Sequence, residues 1–572
     1  MAEPLILTGG TVLTMTRGSS AVEAVGIGAD GRIAAVGAEA EVRAALGAPL
    51  ATVDLDGGAL LPGFIDAHHH YSIAAFDRRM PDLHLPPGSS IEDLLGLVEK
   101  AAAAQPGRWV RAQDYDPSKL VERRPPRSEE LDDVCPDRPA LVVAHSFHEG
   151  CLNSMALAEL GWDRRSPDPE NGMLVRDRRG RLTGEVAEQA FFLAEALSRD
   201  SLLTGSEDAW IAECEAHGRD LLRAGIVRVG DAAVSPAFER LYERAADSGK
   251  LPVIVHRMPV AGTSLIEPRF DGEPTGAGPT ETPIGPAKLF MDGSERCAVC
   301  MRKRQFLEAS GAMVRGAVGG AGLAAIRAAI DAGALRLGKD GLLHRGMLFW
   351  DQDRLDRSVG TAAGRGLQVA QHAIGNEAIS VALTAIERNS RALEEAQGRP
   401  RLEHVMFVDS ELVGRIAASS AIAVVQPHFV NAYGDQLRLL PLPRDMSILA
   451  FRRLLDGGVE LAGSSDYPVS GYDVLAAVRA AVTRRTELGE LFGEEQAIEV
   501  EEALRAYTVG GAHALGVEDE AGTIEPGKRA DLTVLSADPT AMDPAGLGEI
   551  EVIRAYVGGR LAFDIGRTDL PV

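Results

Sequence analysis

The stretch "LPGFIDAHHH", Leu61–His70, decides the fold, because it runs an apolar segment straight into three consecutive histidines in a chain that has 13 in 572 residues. In a β-strand alternate side chains share a face, so His68 and His70 project together and His69 projects away. Two imidazoles on one face can converge on a single cation, and neutral imidazole is the commonest protein ligand for Zn, Fe, Ni and related ions. A strand over residues 63–68 of a parallel barrel would put both at its C-terminal end, the pole where barrel enzymes assemble their sites.

Working outward, seven further runs of strand length follow "GFIDAHHH": "GIVRVGDA", "PVIVHRM", "AKLFMDG", "LQVAQHA", "RLEHVM", "AIAVVQPH" and "ELAGSSD". Helix-like segments separate most of them, among them "GLAAIRAAIDAG" (322–333) and "NEAISVALTAIERNSRALEEA" (376–396). This alternation predicts an α/β fold, a (β/α)8 TIM barrel over residues 63–514. Near-continuous apolar runs suit strands buried on both faces. The first and second runs stand much further apart than one βα unit requires, which predicts an inserted subdomain over about 77–205, with Ser90 capping a helix "SIEDLLGLVEKAAAA". Both chain ends read as strands and turns, with Asp30-Gly31 and Gly558-Gly559 at hairpin positions. Neither end has enough strands to bury a face alone, so residues 1–62 and 515–572 are expected to form one composite β-sandwich.

Other barrel runs carry chemistry at the same pole. His372 ends the fifth, His404 lies in the sixth, and Asp466 closes the eighth in "GSSDYPV". Lys288, on the fourth, stands where a two-metal site needs an anionic bridge. A desolvated lysine can lose its proton and take up CO₂ as a carbamate; Asp292, two residues on, is the competing bridge.

A net charge of −24 disfavours nucleic acid, which is bound by Lys and Arg neutralising phosphates. No basic leader precedes an apolar core and no transmembrane-length apolar run occurs, so a cytoplasmic protein without membrane association is expected. Five cysteines are an odd number and suggest reduced thiols; Cys297 and Cys300 form a C-x-x-C with no second pair at zinc-ribbon spacing.

These motifs, in this order, together with "HAIGNEAI" and the terminal "AGTIEPGKRADLTVLSADP", resemble the amidohydrolase superfamily, and within it the large subgroup that includes N-substituted formamide deformylase. The resemblance implies His68, His70, Lys288, His372 and His404 as metal ligands, with Asp466 as ligand and general acid/base. It also implies one or two divalent ions, zinc in the first place with Fe or Mn as alternatives. In "HSFHEGCLNSMAL", His148 would face the substrate, and Gln426 and His428 at the end of the seventh run are further expected substrate contacts. Two positions depart from the subgroup: Asn376 where aspartate is common, and "GSERCAVC" after the fourth run.

The reaction expected is hydrolysis of a C–N (amide-type) bond in a small organic molecule by metal-bound hydroxide, with Asp466 taking the water proton and passing it to the leaving nitrogen. Alternatives are a mononuclear deaminase or cyclic amide/carbamate hydrolase holding one ion by His68, His70, His372 and Asp466, and an inactive scaffold relative. A homo-oligomer, in the first place a dimer, is expected. Trp109, Tyr115, Phe147, Phe191 and Phe192 of the insertion either wall the pocket or form the insertion's own core.

Overall fold

The computed structural model describes residues 4–567, apart from 19–21, 48–49, 106, 263, 295–301, 306, 309, 312–335, 338–342, 345, 397 and 441. Cys297, Cys300 and the helix expected over 322–333 lie outside the described residues.

The apolar runs form parallel strands: β1 (Phe64–His69), β2 (Ile226–Val234), β3 (Ile254–Pro259), β4 (Ala287–Phe290), β5 (Val369–Ala373), β6 (Arg401–His404), β7 (Ile422–Val425) and β8 (Glu460–Gly463). Every residue of β1, β2 and β3 is buried, as strands covered on both faces require. They hydrogen-bond as a three-stranded sheet, β3-β2-β1, and a five-stranded sheet, β4-β5-β6-β7-β8. Just beyond β8 and β1 the edges of the two sheets meet: Asp466 N donates to His68 O at 2.8 Å and His70 N to Tyr467 O at 3.0 Å. A parallel bridge, Arg257 to Ile284, joins the other edges ahead of β4. The architecture is α/β and TIM-barrel-like.

Helices fill the connections, including Pro236–Asp247 between β2 and β3 and Asn376–Arg388 between β5 and β6. Their starts are written in short polar side chains: Asp351, Asp409 and Asp473 each accept from a backbone N–H in the first turn. Ser90 caps the helix Ile91–Ala104 in a reciprocal box with Asp93.

Between β1 and β2 stands a five-stranded sheet in the order 172–176, 182–188, 149–152, 140–144, 110–115. It has a core of its own in which Leu94, Val98, Tyr115, Leu131 and Val142 pack. Trp109, Phe147, Phe191 and Phe192 belong instead to the main core, so the insertion's aromatics divide between the two. Buried charge ties the insertion down: Arg111 donates to Asp77 at 3.1 Å and to Glu195 at 3.4 Å, and Arg199 to Glu195 at 2.6 Å.

The chain ends share a second unit. Strands 33–37, 24–27, 5–8 and 51–54 make one sheet; 11–12, 59–62, 532–535, 552–557 and 560–564 make another that mixes both ends. Leu7, Val25, Ile33, Leu60, Leu532 and Val534 pack in one cluster drawn from both. At the seam Gly31, with φ +76°, lies so close to the 558–559 turn that a Cβ would stand 2.2 Å from Gly558 O. Only glycine tolerates both the backbone and the approach.

Candidate active site

The C-terminal ends of the barrel strands bring six of the expected residues to one buried cavity: His68, His70, Lys288, His372, His404 and Asp466 all line it. The two main-chain bonds joining β1 to the segment after β8 fix His68, His70 and Asp466 against one another. One donor atom from each of these three lies within 4.8 Å of the other two. Asp66 adds a brace, accepting Ser465 N at 2.9 Å, Ser465 Oγ at 2.5 Å and His69 Nδ1 at 2.9 Å. His69 thus turns away from the cavity, with its Nε2 2.9 Å from His217. His404 and Asp466 adopt left-handed backbone, φ +74° and +58°, which side chains other than glycine adopt at a cost and which recurs where function over-determines geometry.

Hydrogen bonds fix the imidazole tautomers. His68 Nδ1 donates to Glu403 at 2.5 Å, His70 Nδ1 to Ala232 O at 2.9 Å, and His404 Nδ1 to Gln426 Oε1 at 3.0 Å. Each therefore carries its lone pair on Nε2. His372 is reversed: its Nε2 lies 3.3 Å from Gly293 O, so Nδ1 carries the lone pair. Glu403 is itself held by Arg401, whose Nε donates to it at 2.9 Å. This carboxylate–imidazole pairing is the arrangement that orients metal-binding histidines and raises their basicity.

The consequence is a concentration of lone pairs. His70 Nε2 stands 3.0 Å and His68 Nε2 3.4 Å from the same oxygen of Asp466. With both Nδ1 protons committed elsewhere, these atoms are acceptors facing an acceptor, which calls for a cation between them. The free space of the cavity, counted out to where it opens to solvent, is about 540 Å³, room for a small organic molecule beside an ion. Two imidazoles and a carboxylate are a donor set that suits Zn and its neighbours, so these residues fit a divalent ion.

Burial sets the charge states. It holds His68 well below the usual imidazole range, helped by the Lys288 ammonium, and holds His372 there too, helped by His404. It pulls His404 down to about 4. For Asp466 burial acts upward, but the close approach of His70, with His68 and His404 beside it, outweighs burial and keeps the carboxyl below its ordinary range. Lys288 is 1% exposed, and burial pulls its ammonium down to about 8. Its Nζ is 3.2 Å from His68 Nε2. Asp292, the rival bridge, spends its two oxygens on Ile374 N (3.0 Å) and Gly375 N (2.7 Å), fixing the turn after His372. Asn376 accepts from Arg302 N and donates to Gln305, docking the 302–305 stretch; an ionised aspartate would supply no donor to Gln305.

The remaining wall is mostly apolar, with Ile73, Phe192, Leu265, Phe290, Phe429 and Val469 in it. His148 lines the cavity from the insertion. Gln426 and His428 do not reach it. Gln426 sits fully buried behind His404, its amide nitrogen donating to Ser464 Oγ at 2.9 Å, and His428 turns its Nε2 to Asp473 O at 2.9 Å. Three residues escaped the sequence reading: Glu403, Arg401 and Glu188, the last bonded to His148. Glu403 stands beside His404 in "RLEHVM", and strand alternation would set it on the opposite face. The left-handed backbone at His404 and Val405 breaks that alternation.

A family model described as "Amidohydrolase family" matches residues 51–563. The N-substituted formamide deformylase of Arthrobacter pascens is 30% identical over 564 residues, covering 98% of each chain. A putative amidohydrolase of Bacillus subtilis, YtcJ, is 27% identical over 97% of this chain and 98% of its own. Among solved structures, an uncharacterized metal-dependent hydrolase from Pyrococcus horikoshii superposes with a TM-score of 0.68 at 22% identity, covering 95% of this chain and 99% of that one.

Proposed function

The chain belongs to the amidohydrolase family, and from that premise we propose that it is a metal-dependent hydrolase of the carbon–nitrogen bond in small, neutral, amide-type substrates. The observation that carries the reading is the convergence of two imidazole Nε2 atoms and the Asp466 carboxylate within 4.8 Å, with both Nδ1 protons turned outward.

A divalent ion held there by His68 and His70, with Lys288, His372, His404 and Asp466 around it, would lower the pKa of water towards 7 and polarise a carbonyl oxygen. The chain's own residues do the rest. Asp466, ionised at neutral pH, is placed to take a proton from the attacking water and deliver it to the leaving nitrogen. Glu403 and Ala232 O keep His68 and His70 in the tautomer that presents Nε2. The apolar wall excludes bulk water and receives the substituents of the amide. In the fraction that has lost its proton, Lys288 has the burial and position to add CO₂ through Nζ, releasing a proton and leaving a carbamate that would supply an anionic ligand.

The test is Asp466→Asn. Turnover of an amide panel by the zinc-loaded protein should fall by about 10²–10⁴, while metal content by elemental analysis stays largely intact. Full activity in that variant refutes the role. The same analysis on the wild type separates a bridged site, near two ions per chain, from a mononuclear deaminase or cyclic-amide hydrolase, near one. The second has its own support, because only His68, His70 and Asp466 form a three-donor cluster among the described residues.

We further infer one closed (β/α)8 barrel over 63–514 interrupted at about 77–205, a sandwich from 1–62 and 515–572, and a cytoplasmic homodimer, which sedimentation of the purified chain checks.

A further inference from the structure

Resting on the reading of Asp466 as metal donor and acid/base, we propose that His217 is a positioning residue for it: the His217 Nε2 proton anchors the His69 ring, His69 holds Asp66, and Asp66 holds Ser465, the residue before Asp466. His217 lies on the helix Glu207–Arg223 ahead of β2 and does not line the cavity.

His217, His69 and Asp66 are all fully buried. The two imidazoles lie near-parallel with centroids 5.1 Å apart, and their Nε2 atoms face each other at 2.9 Å. Such a contact needs one proton, and the surroundings decide which ring supplies it. Burial holds His217 well below the usual imidazole range, with His69 adding to the effect, so its ring is neutral and carries a single proton. Its Nδ1 has no hydrogen-bond partner among the described residues, so a proton there would be buried and unsatisfied. For His69 to be the donor, the His217 proton would have to move to that atom. The proton therefore sits on His217 Nε2 and is donated to His69. His69 receives it on a bare Nε2 and keeps its own proton on Nδ1, 2.9 Å from Asp66 Oδ2.

Asp66 passes the constraint on. Its Oδ1 accepts Ser465 N at 2.9 Å, and its Oδ2 accepts Ser465 Oγ at 2.5 Å beside the His69 proton. Ser465 Oγ accepts Tyr467 N at 3.0 Å, so the residues on both sides of Asp466 are tied to this one carboxylate. Asp466 itself takes φ +58°, a costly backbone that persists where its surroundings impose it. Without the His217 donor, the His69 Nε2 lone pair is left buried and unsatisfied. A turn of the ring relieves that, and any turn takes Nδ1 off Asp66. The grip on Ser465 then loosens, and the Asp466 oxygen shared by His70 and His68 is displaced.

The experiment replaces His217 by Phe, which keeps a ring without a donor, by Met, which keeps neither, and by Gln, whose amide nitrogen takes the place of the imidazole Nε2. Two readouts are taken on each protein. One is kcat and KM on the amide panel with zinc; the other is the visible ligand-field spectrum with cobalt(II), which reports the donors around the ion without turnover. His217→Phe and His217→Met should lower kcat by about tenfold or more with KM little changed, and should shift the cobalt spectrum. His217→Gln should recover most of both. If the ring serves only to pack against Tyr467, 5.4 Å away, the order reverses and Phe is the benign substitution. That order, or a cobalt spectrum unchanged in His217→Met, overturns the proposal. Where His217→Phe does not fold, the near-isosteric Met and Gln decide. Spectra that follow the donor with no turnover in the wild type keep the positioning role and remove the hydrolase reading; turnover with spectra indifferent to the donor does the reverse.

Discussion

Glu403 has more leverage on the site than its place behind the cavity suggests. It accepts the Nδ1 proton of His68 and is gripped by Arg401, which also donates to Ala67 O at 2.7 Å on β1. Glu403→Gln removes the charge that raises the basicity of His68 while keeping the shape. Metal affinity should therefore fall by about 10–100-fold, the usual effect of losing such a partner, as read by competition with a chromophoric chelator. Unchanged affinity would mean that His68 is not a ligand. Nothing in one sequence distinguishes Glu403 from any other strand acid, because its partner lies 335 positions away. His68 and His70 were legible because a period of two puts them on one face. Gln426, expected as a substrate contact, stands behind the cavity wall, where its amide bonds to His404 and Ser464.

Among the elements, β1 and β2 bear the closest tolerance. Gly230, in the middle of β2, packs so tightly on β1 that a Cβ would lie 2.3 Å from Ala67 O and 2.8 Å from the Met258 methyl. The backbone oxygen cannot yield without displacing β1, whose next residue is His68. Gly230→Ala is thus expected to lower the thermal midpoint by several degrees and to weaken metal retention together. A variant that loses stability but keeps wild-type metal affinity would show that β1 moves as a rigid piece. The eight strands were readable from short apolar runs ending in polar residues, since parallel strands buried on both faces have little choice of composition. The insertion's internal order was not: its strands pair 172–176 with 182–188 and 110–115 with 140–144 through contacts that local pattern does not encode.

At the scale of the whole molecule, the insertion has to stay seated on the barrel for His148 to face the barrel histidines, and a buried charge cluster does much of the seating. Asp77, at the end of the helix after β1, meets Arg111 of the insertion's edge strand, and Arg111 also meets Glu195, which Arg199 holds. Burial pushes the Asp77 carboxyl up to about 6; Arg111 opposes the shift, while Glu195 and Asp114 reinforce it. An acid whose folded pKa lies above its unfolded value binds its proton more tightly when folded. Its contribution to stability is complete below the unfolded value, ordinarily about 3.9, and is lost as pH rises through about 6. Asp77→Asn leaves an oxygen to accept from Arg111 but cannot ionise. The stability of the wild type relative to this variant should therefore decline between about pH 4 and pH 6 and level off above, with a slope of at most about 1.4 kcal/mol per pH unit, the limit for one proton. Parallel denaturant melts of the two proteins across that range read the difference directly, and titrations common to both cancel. A difference that is flat with pH, or that grows in favour of the wild type towards neutrality, would mean that Asp77 stays ionised throughout and that Arg111 binds it as a full ion pair.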